Sequence, residues 1–192
     1  MAQLVNMVIG NAKIYYGTFD PTNVETMITG LTAADRLGLG KDSIKFAAKP
    51  KITDYDFAGK EDRKVMNMEE ITGWDISVSG SCIDFNEKVL TASLMTKRTP
   101  AEADKYVVYT PQSSLSTASY SDLLIVGRLK NNNEPVAILV KNTYNADGVQ
   151  FECKDKDNAG IKFSFEAAYS MDRLDEVPFL VITPKTAADL VG

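Results

Sequence analysis

Alternation of apolar and polar residues with a period of two marks a strand that buries one face. It is clearest from Trp74, where Trp74, Ile76, Val78, Gly80 and Cys82 fall on one side and Asp75, Ser77, Ser79 and Ser81 on the other. It returns from Ile161 to Tyr169, with aromatics on one side, and at Val149, Phe151 and Cys153 against Gln150, Glu152 and Lys154. The runs Leu123–Leu129 and Val136–Val140 are largely apolar on both faces, as in strands covered on both sides, and the polar stretch 131–134 joins them into a central hairpin. A second turn, 155–160, links the 149–154 strand to the one starting at Ile161. Weaker patterns predict strands at Leu4–Ile9, Ala12–Tyr16, Ile44–Ala48, Ile52–Phe57 and Phe179–Ile182.

One helix is predicted. Asp84 stands as its cap, Glu87 three residues on completes a capping box, and Val89, Leu90 and Leu94 form an apolar stripe suited to packing on a core. Three long irregular stretches remain, Thr18–Gly40, Ala58–Gly73 and Lys97–Ser121, and loops of this length in a compact domain are usually functional or disordered until something binds them. With no internal repeat and no Pro/Gly/Ser linker, the 192 residues read as a single, mainly β domain. Its expected core is Trp74, Ile76 and Val78, then Leu123, Ile125 and Leu129, then Phe151, Phe163 and Phe165.

Composition narrows the function more than the fold. There is no histidine, which excludes Ser-His-Asp and Cys-His catalysis and His-ligated metals. The two cysteines, Cys82 and Cys153, both sit at inward positions of alternating patterns and are expected to be buried thiols, too few for a structural zinc. The start of the chain lacks the basic segment and long apolar run of a secretory signal. No apolar run approaches the roughly 18 to 20 residues that span a bilayer, so a soluble protein made in the cytoplasm, without a membrane partner, is expected. The formal charge is −5, from 21 Lys+Arg and 26 Asp+Glu, and the cations are scattered, so a nucleic-acid binder's basic patch is missing.

The motifs that could carry chemistry fail on their own terms. Arg36–Asp42 (RLGLGKD) has Asp35 and Asp42 where a phosphate loop needs Gly and Ser or Thr, so it reads as a turn before the Ile44 strand. The run from Asp155 to Glu166 matches a calcium loop at four positions but puts Ala159 at a ligand position and Glu166 on the solvent face of a strand. The carboxylate pairs Asp54/Asp56 and Asp175/Glu176 would need to face each other across a cleft to act as acid and base, and an exposed acidic stripe is the simpler reading. No catalytic, cofactor or metal residue is therefore expected, and no enzyme activity.

Two segments carry a resemblance. Glu70–Leu94 (EITGWDISVSGSCIDFNEKVLTASL) resembles the strand-then-helix module of the tail tube proteins, the major tail proteins of long-tailed bacteriophages. The succession DLLIVGRLK from Asp122, EPVAILVKN from Glu134, GVQFECKDKD from Gly148, the strand Gly160–Tyr169 and DEVPF from Asp175 is similar to that family's C-terminal half in order and spacing. The resemblance covers about half the chain, and the N-terminal part matches only in general character. It implies a β-sandwich or barrel with a flanking α-helix, six copies of which form a ring. Stacked rings make the tube through which the genome passes. It further implies a virion protein assembled in the host cytoplasm, with tape measure and terminator proteins as partners and DNA passing without specific binding.

Within that picture Ala58–Gly73 is the candidate contact between rings, through Arg63, Met66, Met68 and Glu69, because methionine adapts to irregular surfaces. Residues 1–9 and 185–192 are candidate terminal arms. A basic bore would hold DNA by its phosphates, so an acidic or neutral one is expected, lined by Asp54 and Asp56 and by Asp75, Ser77, Ser79 and Ser81. Alternation alone does not say whether those residues meet the bore, outer solvent or a neighbouring subunit. The competing class is a β-sandwich binding module for carbohydrate or a host receptor, which calls for an exposed aromatic platform, whereas the single Trp lies on an apolar strand face.

Overall fold

The computed structural model describes residues 9–57, 62–84, 86–99, 105–129, 133–152 and 160–185. The strands are β1 (Ile9–Gly17), β2 (Gly40–Asp54), β3 (Glu69–Cys82), β4 (Met95–Lys97), β5 (Tyr109–Pro111), β6 (Ser121–Leu129), β7 (Pro135–Asn145), β8 (Gln150–Glu152), β9 (Gly160–Ala167) and β10 (Phe179–Ile182). Two short helices, α1 (Val24–Thr29) and α2 (Glu87–Ala92), complete the set. Eight of the strands form one sheet, paired antiparallel in the order β1-β6-β7-β9-β3-β2.

The sheet curls because β7 and β9 share only a corner. Thr143–Asn145 pairs with Phe165–Ala167, while the earlier part of the same β7 edge pairs with β10 and the start of β9 pairs with β8. The two wings face each other as a half-barrel. Ile14, Tyr16, Leu123, Ile125 and Val140 from one wing meet Ile76, Val78, Cys82, Phe163 and Phe165 from the other. Phe165 touches both Tyr16 and Phe163, with ring centroids at 6.0 and 5.6 Å. Gly80 faces this core because a Cβ there would come within 2.7 Å of the Phe163 ring.

The central hairpin is apolar on both faces for a second reason. Its outer side carries Leu124, Ala137 and Leu139, which with Tyr15 of β1 are covered by Phe19, Met27, Ile28 and Leu31. The stretch expected as an irregular 18–40 loop therefore holds α1, capped by the Asn23 side chain accepting from the Thr26 amide at 3.1 Å, and a 3-10 turn at 33–35. It also guards an edge, since the Leu37 amide donates to the Ile14 carbonyl at 3.0 Å.

Several expectations are corrected. The cap of α2 is Asn86, which accepts from the Val89 amide at 2.9 Å, because the Asp84 carboxylate is drawn away to the Leu39 amide. Val89, Leu90 and Ala92 are its buried face, and Leu94 lies past its end with φ of 60°. The strands expected at 44–48 and 52–57 are one, β2, running to Asp54 through Pro50, which an edge strand tolerates. Residues 69–73, expected as loop, begin β3. The 97–121 stretch holds β5, which pairs with β4 as a separate two-stranded ribbon, and a 3-10 turn at 117–119.

Core membership also shifts. Phe151 is 60% exposed, since three-residue β8 extends past the cover of the opposite wing, and Trp74 is half-buried at the rim against Phe179. Cys82 is buried, while Cys153, the calcium-like positions at 155–159 and the candidate arms other than Ile9 and Lys185 lie outside the described residues. Asn145 is fully buried where β7 turns away, and it donates to Ser93 Oγ at 3.1 Å and the Gly148 carbonyl at 2.7 Å while accepting from the Ser164 amide at 3.1 Å.

Candidate functional site

The hairpin of β2 and β3 is longer than the body it belongs to. Its inner half, Phe46–Pro50 against Trp74–Val78, covers the core, but pairing continues outward through Ile52 with Ile71, Thr53 with Glu70 and Asp54 with Glu69. The register steps by one residue between Lys51 and Ile52, leaving Thr72 as a bulge whose hydroxyl donates to the Lys51 carbonyl at 3.2 Å. A bulge strengthens local twist and turns the outer part of the strand in a new direction. Outward of Thr72 the side chains of this hairpin, the arm, are largely exposed, although Glu70 and Ile71 at its base line a pocket with Tyr169, Leu174, Asp175 and Val177. Ile71 is 56% and Met66 85% exposed, and Ile52, Tyr55, Phe57 and Met68 are exposed as well.

The arm is nonetheless ordered by its own contacts. The Tyr55 amide donates to the Met68 carbonyl at 2.8 Å, the Tyr55 hydroxyl donates to the Glu70 carboxylate, and Lys64 lies 3.4 Å from Glu69. The bond to Glu70 raises the Tyr55 pKa. Asn67 turns the chain with φ of 68°. Of the expected ring-contact residues, Arg63 and Met66 sit in the segment leading to this turn, Met68 comes directly after it, and Glu69 starts β3; residues 58–61 lie outside the described set.

The polar face of the sheet is the second surface. Asp75, Ser77, Ser79 and Ser81 share a side of β3, as alternation implies, and strand pairing brings others beside them. Lys45 stands opposite Ser79, Lys49 opposite Asp75, Glu166 opposite Ser77 and Lys162 opposite Ser81. Lys51 reaches Asp75 at 2.6 Å, which raises the lysine's pKa, and Glu166 accepts from the Tyr144 hydroxyl at 2.9 Å. Four lysines thus face two carboxylates among the described residues of this side, so it is not acidic. Asp54 and Asp56 do not join it. Alternation along β2 puts Asp54 with Ile52 and Phe46 on the other side, and Asp56 lies beyond the strand end.

Sequence reasoning missed the lysines because each lies two or more residues from the next in a strand whose partner was unassigned. The period-two spacing of Lys45, Lys49 and Lys51 is the signal that would have found them. It missed Ile52, Tyr55, Phe57 and Ile71 as a unit because an exposed strand and a buried one show the same alternation.

Reactive chemistry is sparse. Among the described residues no group of three His, Cys, Asp or Glu is placed to hold a metal. Burial, helped by the nearby Asp84 charge, pushes the Cys82 thiol up to about 12, so it stays protonated at neutral pH. Asp175 and Glu176 are exposed, and Glu176 pairs with Arg173 at 3.2 Å. No helix among the described residues is long and apolar enough to cross a membrane.

No protein-family model matches this chain, and no curated protein matches it. Among solved structures it is similar to a chain in the sheath-tube complex, in its extended state, of PVC, an extracellular contractile injection system. The likeness covers 94% of this chain and 95% of the other, at 9% identity and a TM-score of 0.48. At that distance the functional reading rests on the residues themselves.

Proposed function

We propose that this protein is a structural, non-enzymatic subunit of a tail-type tube, in which six copies join as a ring and rings stack into a hollow tube that conducts a genome. The observation that carries the reading is the arm, an ordered hairpin with six large side chains, Ile52, Tyr55, Phe57, Met66, Met68 and Ile71, left in water by a body that buries its own core well. Large apolar side chains left exposed together on one ordered hairpin mark a candidate interaction site. Covering the exposed part of each side chain would contribute on the order of 1 kcal/mol, repeated around a ring.

The outer edges of β2 and β10, unpaired among the described strands, support ring formation, since a head-to-tail ring needs two different patches on each subunit. The polar side of β2, β3 and β9, with four lysines to the two carboxylates Asp75 and Glu166 among its described residues, has the charge that a bore passing DNA freely would avoid, so the tube reading does not put this side against the DNA. Tape measure and terminator proteins would be its neighbours, DNA would pass without specific binding, and the protein would reside in the virion tail after assembly in the host cytoplasm. Negative-stain microscopy of the purified protein tests this: six-fold rings and tubes are expected. A protein that stays monomeric or trimeric would instead fit a β-sandwich binding module, although its exposed aromatics, Tyr55, Phe57, Tyr106 and Phe151, are spread over different elements.

A further inference from the structure

Where β3 leaves the body, a cavity of about 540 Å³ opens between the base of the arm and the chain that leads into β10. Its walls are apolar, with Ile71 and Trp74 on one side and Leu174 and Val177 on the other. Its charged groups are two carboxylates, Glu70 and Asp175, and no Lys or Arg is among the described residues that line it. The cations nearby in sequence and register are committed elsewhere, Lys51 to Asp75 at 2.6 Å and Arg173 to Glu176 at 3.2 Å. Glu70 accepts the Tyr55 hydroxyl through Oε2 only, and Asp175 has no hydrogen-bond or ion-pair partner among the described residues. The frame is fixed. Trp74 packs against Phe179 with ring centroids 5.6 Å apart, and its amide donates to the Tyr169 hydroxyl, also in the lining, at 2.8 Å.

We propose that this cavity is a socket for a lysine or arginine side chain of a neighbouring protein chain. The lining sets the class of occupant. A long cationic side chain lays its methylene stem on apolar walls and brings its charged head to a carboxylate, and this cavity offers both. A wholly apolar side chain would cover Glu70 and Asp175 without pairing them, which is costly, and an acidic one would meet two like charges. Metal is a poorer occupant, since among the described residues no three acidic or cysteine groups come together. The socket belongs to the single subunit, so it goes beyond the tube reading and is tested without rings.

Trp74 is the only tryptophan of the chain and lines the cavity, so its fluorescence reports occupancy. The probes are n-butylguanidinium, with the shape and charge of an arginine side chain, and n-butylurea, with a similar shape and no charge. The guanidinium is expected to change Trp74 emission saturably at about millimolar concentration, and the urea to act about tenfold more weakly or worse. Glu70→Gln with Asp175→Asn should bring the two probes level. Asp175→Asn alone alters an exposed residue without a partner, so it should weaken the guanidinium response several-fold at an unchanged melting temperature. No saturable response, equal responses to the two probes, or an undiminished guanidinium response in Asp175→Asn would overturn the socket. None of these outcomes touches the tube reading, which stands or falls on microscopy.

Discussion

The inner and outer halves of β3 share the same strand geometry and meet different surroundings. From Ile76 to Cys82 the even-numbered side chains Ile76, Val78 and Cys82 are shut into the core, Val78 completely, and the odd-numbered ones form the polar side. From Glu69 to Gly73 Ile71 pairs with another isoleucine across the hairpin, but both remain more than half exposed. The inner half is ordered by what covers it, through side chains from β1, β6, β7 and β9. The outer half is ordered by its partner strand and by bonds such as Tyr55 to Glu70. A two-stranded hairpin of this kind is marginal alone in water. The difference separates residues that specify the subunit from residues held ready for something outside it.

The sharpest way to test the inner half is to hollow it. Phe165→Ala, at a position 1% exposed between Tyr16 and Phe163, should cost about 3 to 5 kcal/mol in urea unfolding, the range for buried aromatic truncation. A loss no larger than the roughly 0.5 kcal/mol of surface changes would mean that the two wings do not pack as described.

The next test uses Cys82 at the end of the same strand. Its thiol is raised from 9.0 to about 12 chiefly by burial, so the unfolded chain ionises it first. Stability from this group is fully present below pH 9 and is lost as pH climbs toward 12. Tyr16 also titrates late because it is buried, so the comparison is with Cys82→Ala: the difference in stability between the two proteins should shrink across that window. An unchanging difference would place the thiol in contact with water.

Asn145 ties the corner between the wings and should matter less than the core but more than any surface residue. Asn145→Ala leaves the Ser164 amide without its acceptor and removes two donated bonds, for an expected loss of about 1 to 3 kcal/mol by thermal or chemical unfolding. The corner was not legible beforehand. The pattern shows which face of each strand is wet, and it gave β6, β9 and β10 close to their observed positions but only parts of β3 and β7, which begin at Glu69 and run on to Asn145; it cannot show that β7 changes partner along one edge. It placed Phe151 in the core because Phe151 falls on the apolar side of the 149–154 alternation, yet only its strand partner Ile161 is buried and Phe151 is 60% exposed. For the candidate site, Met66 and Met68 stood out as methionines among charges, while the rest of the arm passed for ordinary strand and loop.

The smallest expected effect on stability falls on the outer half, and there the comparison is most exposed to refutation. Ile71→Ser removes an apolar side chain that is already 56% exposed, so the melting temperature should barely move, within the roughly 0.5 kcal/mol typical of surface changes. If the arm is held for a neighbour, the same substitution should shorten or abolish tubes. Deleting residues 63–69, which the sequence places in a loop, would confound the test, since Glu69 pairs with Asp54 and the Met68 carbonyl accepts from Tyr55. A point substitution keeps the hairpin and alters only its surface. Unchanged stability with lost stacking is the outcome that divides β3 into two roles. A large drop in stability would show that the outer half supports the subunit itself, and unchanged tubes would remove Ile71 from the contact between rings.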